Sequence, residues 1–216
     1  MGLGESIMNS MALCIYPVRK VHVFCNNQAL DILNNDGHTA LAARLKPFLQ
    51  VLNNGNHWAD GGFRSVHHYY QPRSRKGILG FSSADKVFAS YFNCALTYYS
   101  RGKMADSIFY LGAALHLIQD LCVPYHSLGI VLCGHRKYEN WVARHHALFA
   151  VYERGCYDYL NPLDILRENA LQATEHQEIV DEPKATVRVE GTHELLGLAQ
   201  RSSASLMQLF GRIAIR

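Results

Sequence analysis

The sequence predicts an all-α fold, a multi-helix bundle, and three observations support this prediction. Apolar residues recur at helical spacing in several long segments. Strand-like alternation of apolar and polar residues is nearly absent. Residues that begin or end helices flank the periodic segments. With 216 residues, of which 49% are hydrophobic and 18% charged, the chain can bury a sizeable core, and we expect one domain over residues 1–216.

Seven helices are predicted, each from its own apolar period. Pro47 interrupts the second helix, Ser83 is the expected N-cap of the third, and Gly102 is its expected C-terminal glycine. Pro124 lies just beyond the end of the fourth. The predicted helices cover residues 21–33, 38–52, 83–102, 103–122, 135–153, 162–173 and 194–213.

Two polar segments without a sustained period are expected to be irregular. Residues 55–77 read as a long loop that follows the helix-ending sequence NNGN, and long loops inside compact domains are usually functional. Residues 181–191 are expected to be a solvated connection.

Charge and composition give no positive sign of several classes of protein. A net charge of +3 without a run of Lys or Arg does not indicate a nucleic-acid partner. No stretch of eighteen uncharged apolar residues predicts a transmembrane segment. The N-terminal sequence lacks the basic start and cleavage site of a signal peptide. The six cysteines form no CxxC pair and are expected to be mostly buried thiols.

Twelve histidines are conspicuous in this composition, and several of them follow a pattern with carboxylates. His116 and Asp120 are one helical turn apart and therefore share a face, and His126 follows after Pro124. An isolated pair of this kind is more typical of a structural hydrogen bond. The spacing recurs in His135 and Glu139, however, and two such pairs within 24 residues favour metal binding.

Further oxygen and nitrogen donors lie upstream. They are His22, Asp60, and either His67 or His68, of which His68 is preferred. Donors of this kind without paired cysteines favour zinc. There are more donors than one tetrahedral ion needs, so a multinuclear centre is expected. Clustered divalent ions can hold the attacking and leaving oxygens of a phosphate ester, which makes phosphodiester hydrolysis the leading reaction class.

This ordered set resembles that of the bacterial zinc-dependent phospholipase C family. The resemblance includes YLGAALHLIQDLCVPYHS and GHRKYENW, and weakly LAQRSSASLMQLF, and it covers most of the chain. It implies an all-helical domain with up to three zinc ions. The implied ligands are His22, Asp60, His68, His116, Asp120, His126, His135 and Glu139.

The resemblance also implies how these ligands are shared. Asp60, His68, His116 and Asp120 would hold one ion, and His126, His135 and Glu139 a second. His22 and the bridging Asp120 would hold a third. Asp60 would in addition be the general base.

The chain departs from the family at two places. The family completes its third zinc site with an N-terminal tryptophan, for which this sequence has no counterpart; the amine of Gly2 is one alternative. Gly61 and Ser65 stand where the family contacts choline, with Phe63 and Tyr69 as alternative contacts, so phosphatidylcholine is not assumed. Cys122 and Cys133 flank the predicted ligands but are expected to be structural.

Three hypotheses follow. The first is a phospholipase C-like enzyme that cleaves a phospholipid to diacylglycerol and a phosphorylated headgroup, with peripheral membrane contact. The second is a single-strand nuclease or 3′-nucleotidase of the related fold, which would bind nucleic acid. The third is a non-catalytic zinc-binding homologue. Family members act outside the cell, yet no export signal is visible here, so localisation is left open.

Overall fold

Helices form almost all of the regular structure, confirming the all-α prediction. A computed structural model describes residues 20–131, 134–181 and 184–215, and within these ranges it contains no strand. In chain order the helices are α1 (residues 20–35), α2 (Thr39–Leu45), α3 (Leu49–Ala59), α4 (Ala84–Ser100), α5 (Met104–Asp120), α6 (Pro124–Leu128), α7 (His135–His145), α8 (Pro162–Glu175), α9 (Glu178–Asp181) and α10 (Ala185–Ala214).

Helix α5 is the centre of the bundle. Every residue from Leu111 to Asp120 is buried, because α3, α4, α8 and α10 pack around the helix. A helix that is apolar on all sides is expected in such a position. His116, Gln119 and Asp120 are therefore enclosed by protein, where a polar group needs a partner.

Two glycines let α3 and α5 cross closely. A Cβ on Gly55 would overlap the backbone carbonyl of Phe109, and one on Gly112 would overlap that of Leu52. Only residues without a side chain fit at this crossing. The close approach carries Asn56 of α3 into hydrogen-bonding distance of α5.

Several predicted boundaries are confirmed. A 3₁₀ turn over Lys46–Phe48 separates α2 from α3 at Pro47. Ser83 is the N-cap residue of α4, and Gly102 follows that helix with a positive φ of 70°. Pro124 occupies the first turn of α6, where its missing N–H costs no helical hydrogen bond.

Four expectations were wrong. The loop predicted to begin at residue 55 begins only after Ala59, because Gly55 allows α3 and α5 to cross closely and does not end α3. Within the loop, Gly62–His67 forms a 3₁₀ turn. The fifth helix ends at His145, and a 3₁₀ turn over His146–Phe149 follows it. The imidazoles of His145 and His146 bond to backbone carbonyls there, which competes with helix continuation.

The other two corrections concern segments expected to be irregular. Residues after Cys122 form α6, and most of the polar connection at 181–191 belongs to α10, which begins at Ala185. Val187 packs against a hydrophobic cluster that includes Tyr138 and Leu195, and Gly191 lies against Ile179 of α9. Packing thus outweighs the polar composition.

No helix in residues 20–131, 134–181 or 184–215 has the length and apolar character that crossing a membrane requires.

Candidate metal centre

The structure brings all eight predicted ligands to one end of the bundle, although they come from distant parts of the chain. His22 lies on α1, His116 and Asp120 on α5, and His126 on α6. His135 and Glu139 lie in the first turns of α7. Asp60 follows α3, and His68 follows the 3₁₀ turn after it.

Asp120 is the hub of this arrangement. Its Oδ2 lies 2.7 Å from Nδ1 of His68, 3.1 Å from Nε2 of His116 and 3.9 Å from Nε2 of His126. Its Oδ1 lies 3.5 Å from Nε2 of His22. One buried carboxylate therefore faces four imidazoles.

A second group of donors adjoins the first. Oε1 of Glu139 is 2.9 Å from Nε2 of His135 and 3.6 Å from Nε2 of His126. Donor atoms within 4.8 Å of one another form three groups in the described residues. These are His22 with His116 and Asp120, Asp60 with His68 and His116, and His126 with His135 and Glu139.

Buried amides fix the orientation of two imidazoles. Nδ1 of His22 lies 2.8 Å from Oε1 of Gln119, and Nδ1 of His116 lies 3.1 Å from Oδ1 of Asn56. An amide oxygen only accepts, so each Nδ1 carries the proton. Gln119 cannot present its nitrogen instead, because that nitrogen donates to Asn26 and Ser203.

His68 is oriented in the same sense by a backbone group. Its Nε2 donates to the carbonyl of Ala59 at 3.1 Å. In each neutral ring of these three histidines, the nitrogen without a proton points at Asp120. Lone pairs and a carboxylate repel one another at these distances unless a cation lies between them. Ligating histidines held by an outer hydrogen bond have this arrangement in metal sites.

The second group also fits a metal. The Nε2 atoms of His126 and His135 both face Oε1 of Glu139, and the Nδ1 atom of His126 is buried without a hydrogen-bond partner in the described part of the chain. Unpaired polar atoms of this kind destabilise a folded protein unless another ligand satisfies them. Together with the orientation of the other rings, this indicates that the donor set suits zinc, which accepts imidazole and carboxylate ligands.

The carboxyl groups divide into two kinds. Burial acts to raise the pKa of Asp120, but His116 and His126 outweigh it and hold that pKa well below its usual range. Burial is likewise outweighed at Glu139, where hydrogen bonds with His126 and His135 lower the pKa to about 2. The pKa of Asp60, by contrast, is raised by burial and by the charge of Asp120.

The imidazoles also differ. Burial lowers the pKa values of His22, His116 and His126. Burial opposes protonation of His68 as well, but the hydrogen bond with Asp120 outweighs it and raises the pKa. Most of these rings are therefore kept neutral, the form that binds metal.

A cavity of about 240 Å³ opens beside the donor groups. Its wall combines predicted ligands with side chains from the segments around the entrance. The lining residues are His22, Asp60, Ser65, Val66, His68, Tyr69, Ile78, Asp120, His126, Val131, His135, Arg136 and Glu139.

Residues 63–69 differ in whether they reach the donor groups or the cavity. His68 is buried in the cluster, whereas His67 bonds to the carbonyl of Ser82 and contacts the ring of Phe81. Tyr69 lines the cavity, but Phe63 is exposed and does not. Ser65 also lines the cavity.

The other histidines and cysteines of the described residues belong to none of the three donor groups. The thiol of Cys122 donates to the carbonyl of Ile118, and burial raises its pKa well above the usual range. His176 has its own carboxylate partners, Glu178 and Glu194. Gly2 and Cys133 lie outside the described residues. His38, His57, His145, His146 and His193 belong to none of the three groups.

Sequence reasoning missed the amides behind the ligands. Asn26, Asn56 and Gln119 form a buried hydrogen-bonded network that reaches both His22 and His116. Gln119 directly precedes Asp120, and Asn56 lies in the NNGN segment that was interpreted as a helix end. The only sequence signal that could have identified these three residues is the presence of amide side chains at helix positions expected to be buried.

Comparisons with known proteins agree with this fold and donor set. A family model described as zinc dependent phospholipase C matches residues 21–181, well over half of the chain. The chain therefore belongs to the zinc-dependent phospholipase C family.

Relatives from two organisms carry the name phospholipase C. A protein from Bacillus cereus is 30% identical over 138 residues, which are 56% of this chain and 48% of that protein. The one from Listeria monocytogenes is 33% identical over 81 residues, or 35% of this chain and 28% of that protein. The matched region thus spans about half, or less, of these relatives.

Solved structures agree on the fold. The alpha toxin from Clostridium absonum has a TM-score of 0.80 at 16% identity, covering 91% of this chain and 63% of that one. The Clostridium perfringens alpha-toxin gives 0.78 at 16% identity, covering 90% and 64%. At this identity the likeness establishes the helical fold alone.

Proposed function

We propose that this protein is a zinc-dependent phosphodiester hydrolase that cleaves a phospholipid into diacylglycerol and a phosphorylated headgroup. One observation carries the proposal. Imidazoles held by carbonyl oxygens direct their free nitrogens at one buried carboxylate, beside an open cavity. The family to which the chain belongs supports zinc as the metal and phospholipid as the substrate class.

Up to three ions are proposed. Asp60, His68, His116 and Asp120 would hold one, and a second would bind the group of His126, His135 and Glu139. His22 and Asp120 would hold the third. Bound zinc would polarise the phosphate oxygens and lower the pKa of a bound water towards neutrality.

Asp60 is the proposed general base. It lines the cavity and is only partly buried, whereas Asp120 is enclosed by imidazoles. A carboxylate with a raised pKa is the stronger base. Asp60 would accept the proton of the attacking water as the new bond to phosphorus forms. The bond between phosphorus and the diacylglycerol oxygen would break in the same reaction, and that oxygen would take a proton from solvent.

The cavity dimensions favour a particular placement of the lipid. About 240 Å³ is less than a drug-sized ligand usually occupies, so the cavity suits the phosphate and part of a headgroup. The acyl chains would then remain outside. Arg136 lines the cavity and makes no ion pair in the described residues, so it is available to a phosphate oxygen.

The test compares the zinc-loaded protein with Asp60→Asn on a monomeric short-chain phospholipid and on single-stranded DNA. Asp31→Asn is the matched control, because this exposed residue on α1 lies outside the donor groups. We expect phospholipid turnover that falls at least about 100-fold in Asp60→Asn and is unchanged in the control.

Other outcomes would favour the other hypotheses. Turnover of DNA alone would indicate a nuclease. Full zinc content with no turnover of either substrate would indicate a non-catalytic zinc-binding protein and contradict the proposal.

A further inference from the structure

The segments that surround the cavity expose apolar side chains. Phe63 is 91% exposed and Leu79 86% exposed, while Phe81 and Val131 are each 46% exposed. Ser65, Ile78 and Val131 line the cavity, so the exposed residues belong to the same segments or are their direct neighbours. We name Phe63, Leu79, Phe81 and Val131 the apolar rim.

A backbone turn exposes Leu79 of the apolar rim to solvent. Phe81 N–H bonds to the carbonyl of Ile78, which closes a turn with Leu79 and Gly80 at its tip. Leu79 has a positive φ of 49°, a conformation that β-carbon-bearing residues rarely adopt. A large apolar side chain in this conformation, packed against so little, does not serve the fold.

Cations accompany the apolar rim. Residues 61–84 contain Arg64, Arg73, Arg75 and Lys76 and no acidic residue. Arg64 lies over the ring of Trp58, but the other three are exposed and make no ion pair in the described residues. This segment alone carries a formal charge of +4, while the whole chain carries +3.

We infer that the apolar rim and these three cations dock the protein on a bilayer that contains anionic phospholipid, with the cavity facing the membrane. The apolar side chains would enter the interfacial layer, and the cations would contact lipid headgroups. Docking would deliver lipid to the cavity, and this consequence rests on the proposed function.

Single-stranded nucleic acid is less well matched to the same surface. Base stacking requires aromatic faces, yet two of the four rim residues are aliphatic and the ring of Phe81 packs edge-on against His67.

The test measures cosedimentation with vesicles of phosphatidylcholine in which about one third of the lipid is phosphatidylglycerol. All proteins carry Asp60→Asn, so binding is measured without turnover and does not depend on the proposed reaction. We expect Phe63→Ser combined with Leu79→Asn to weaken partitioning at least about tenfold. Arg73→Gln, Arg75→Gln and Lys76→Gln together should weaken it about 100-fold on these vesicles.

Matched controls lie elsewhere on the molecule. Leu160→Asn removes another exposed leucine, 84% exposed and outside the cavity lining. Lys46→Gln, Arg101→Gln and Lys103→Gln remove three exposed cations; Arg101 and Lys103 lie about 25 Å from the rim, at the far end of the 17-residue α4. The controls should partition as the parent protein does.

A second measurement separates docking from catalysis. With Asp60 restored, the apolar-rim variant should turn over a monomeric short-chain phospholipid at the parent rate and lose turnover on vesicles. Parent-like vesicle binding by both sets of variants would overturn the inference, as would binding of a single-stranded oligonucleotide but not of vesicles. Absence of turnover on monomeric lipid would contradict the proposed function and leave the binding result interpretable.

Discussion

Asp120 and the amides behind its histidine partners define the candidate centre at the scale of single residues. The carboxylate faces imidazoles of His22, His68, His116 and His126, and three of these rings donate their protons away from it. Such outer hydrogen bonds select the tautomer of a ligand and raise its basicity. Zinc affinity should therefore depend on residues that never touch the metal.

Replacement of one outer amide tests this dependence. In Asn56→Leu, His116 loses the acceptor that fixes its Nδ1 proton, and we expect zinc affinity to fall about 10- to 100-fold in a chelator competition. The control is Asn169→Leu, another buried asparagine, whose amide bonds to Ile118 and Ser202. Equal losses of zinc affinity in both variants would show a general effect of core disruption.

The pH dependence of metal-free protein tests the imidazole environments. The pKa values of His22, His116 and His126 lie below 6.5, so the unfolded chain binds protons more readily as pH falls and the free energy of unfolding decreases below about pH 6.5. The pKa of His68 is raised, so this residue increases the free energy of unfolding below about pH 6.5. That contribution is lost as the pH rises through the pKa of His68 in the folded protein.

Urea unfolding at about pH 5.5, 6.5 and 8 would measure how the free energy of unfolding changes with pH below and above the middle value. Metal-free protein should be most stable near the middle of this range with respect to these groups. Zinc-loaded protein should gain stability as pH rises, because protons and zinc compete for the same nitrogens. Identical pH profiles with and without zinc would contradict the account.

At the scale of elements, the crossing of α3 and α5 positions the amide network. Gly55 and Gly112 allow the backbones to approach, and Asn56 then reaches both His116 and Gln119. A methyl group at this crossing would separate the helices and disturb the ligands together with the core.

Gly112→Ala should lower the free energy of unfolding by about 2 kcal/mol or more, because the new Cβ would overlap the carbonyl of Leu52. Gly197→Ala in α10 is the control. Its Cβ would meet neighbours only at 3.6 Å, so the better helix propensity of alanine should leave stability equal or slightly higher. Thermal unfolding that ranks the two variants the other way would contradict this packing.

The sequence predicted elements whose signals are local. Pro47, Ser83 and Gly102 act through their own backbone conformations, and the His116 and Asp120 spacing places both on one helix face whatever surrounds it. Gly55 was misread because a glycine at a helix crossing and one at a helix end look alike in a single sequence.

The interactions that sequence reasoning missed are those between elements. The bond between Asn56 and His116 joins residues 60 positions apart, and that between His22 and Gln119 spans 97. The helical start of α10 depends on packing of Val187 and on the contact of Gly191 with Ile179, neither of which a polar composition reveals. Tertiary contacts of this kind override local preference.

At the scale of the whole molecule, one end of the bundle combines the donor groups, the cavity, the exposed rim and the cations. The opposite end, where α4 meets α5, has none of the donor groups. Family membership is established, whereas the chain matches only about half the length of the Bacillus cereus relative, so substrate and membrane docking rest on the proposals made from this structure.

The central claim is that the eight donors bind a zinc cluster, and elemental analysis of zinc per chain tests it most directly. Untagged protein purified without chelator should contain between two and three zinc ions per chain, because the donors form three groups, two of which share His116. A value of three would indicate that the His22 group is occupied as well. A value of one or less, in folded protein supplied with zinc, would contradict the cluster.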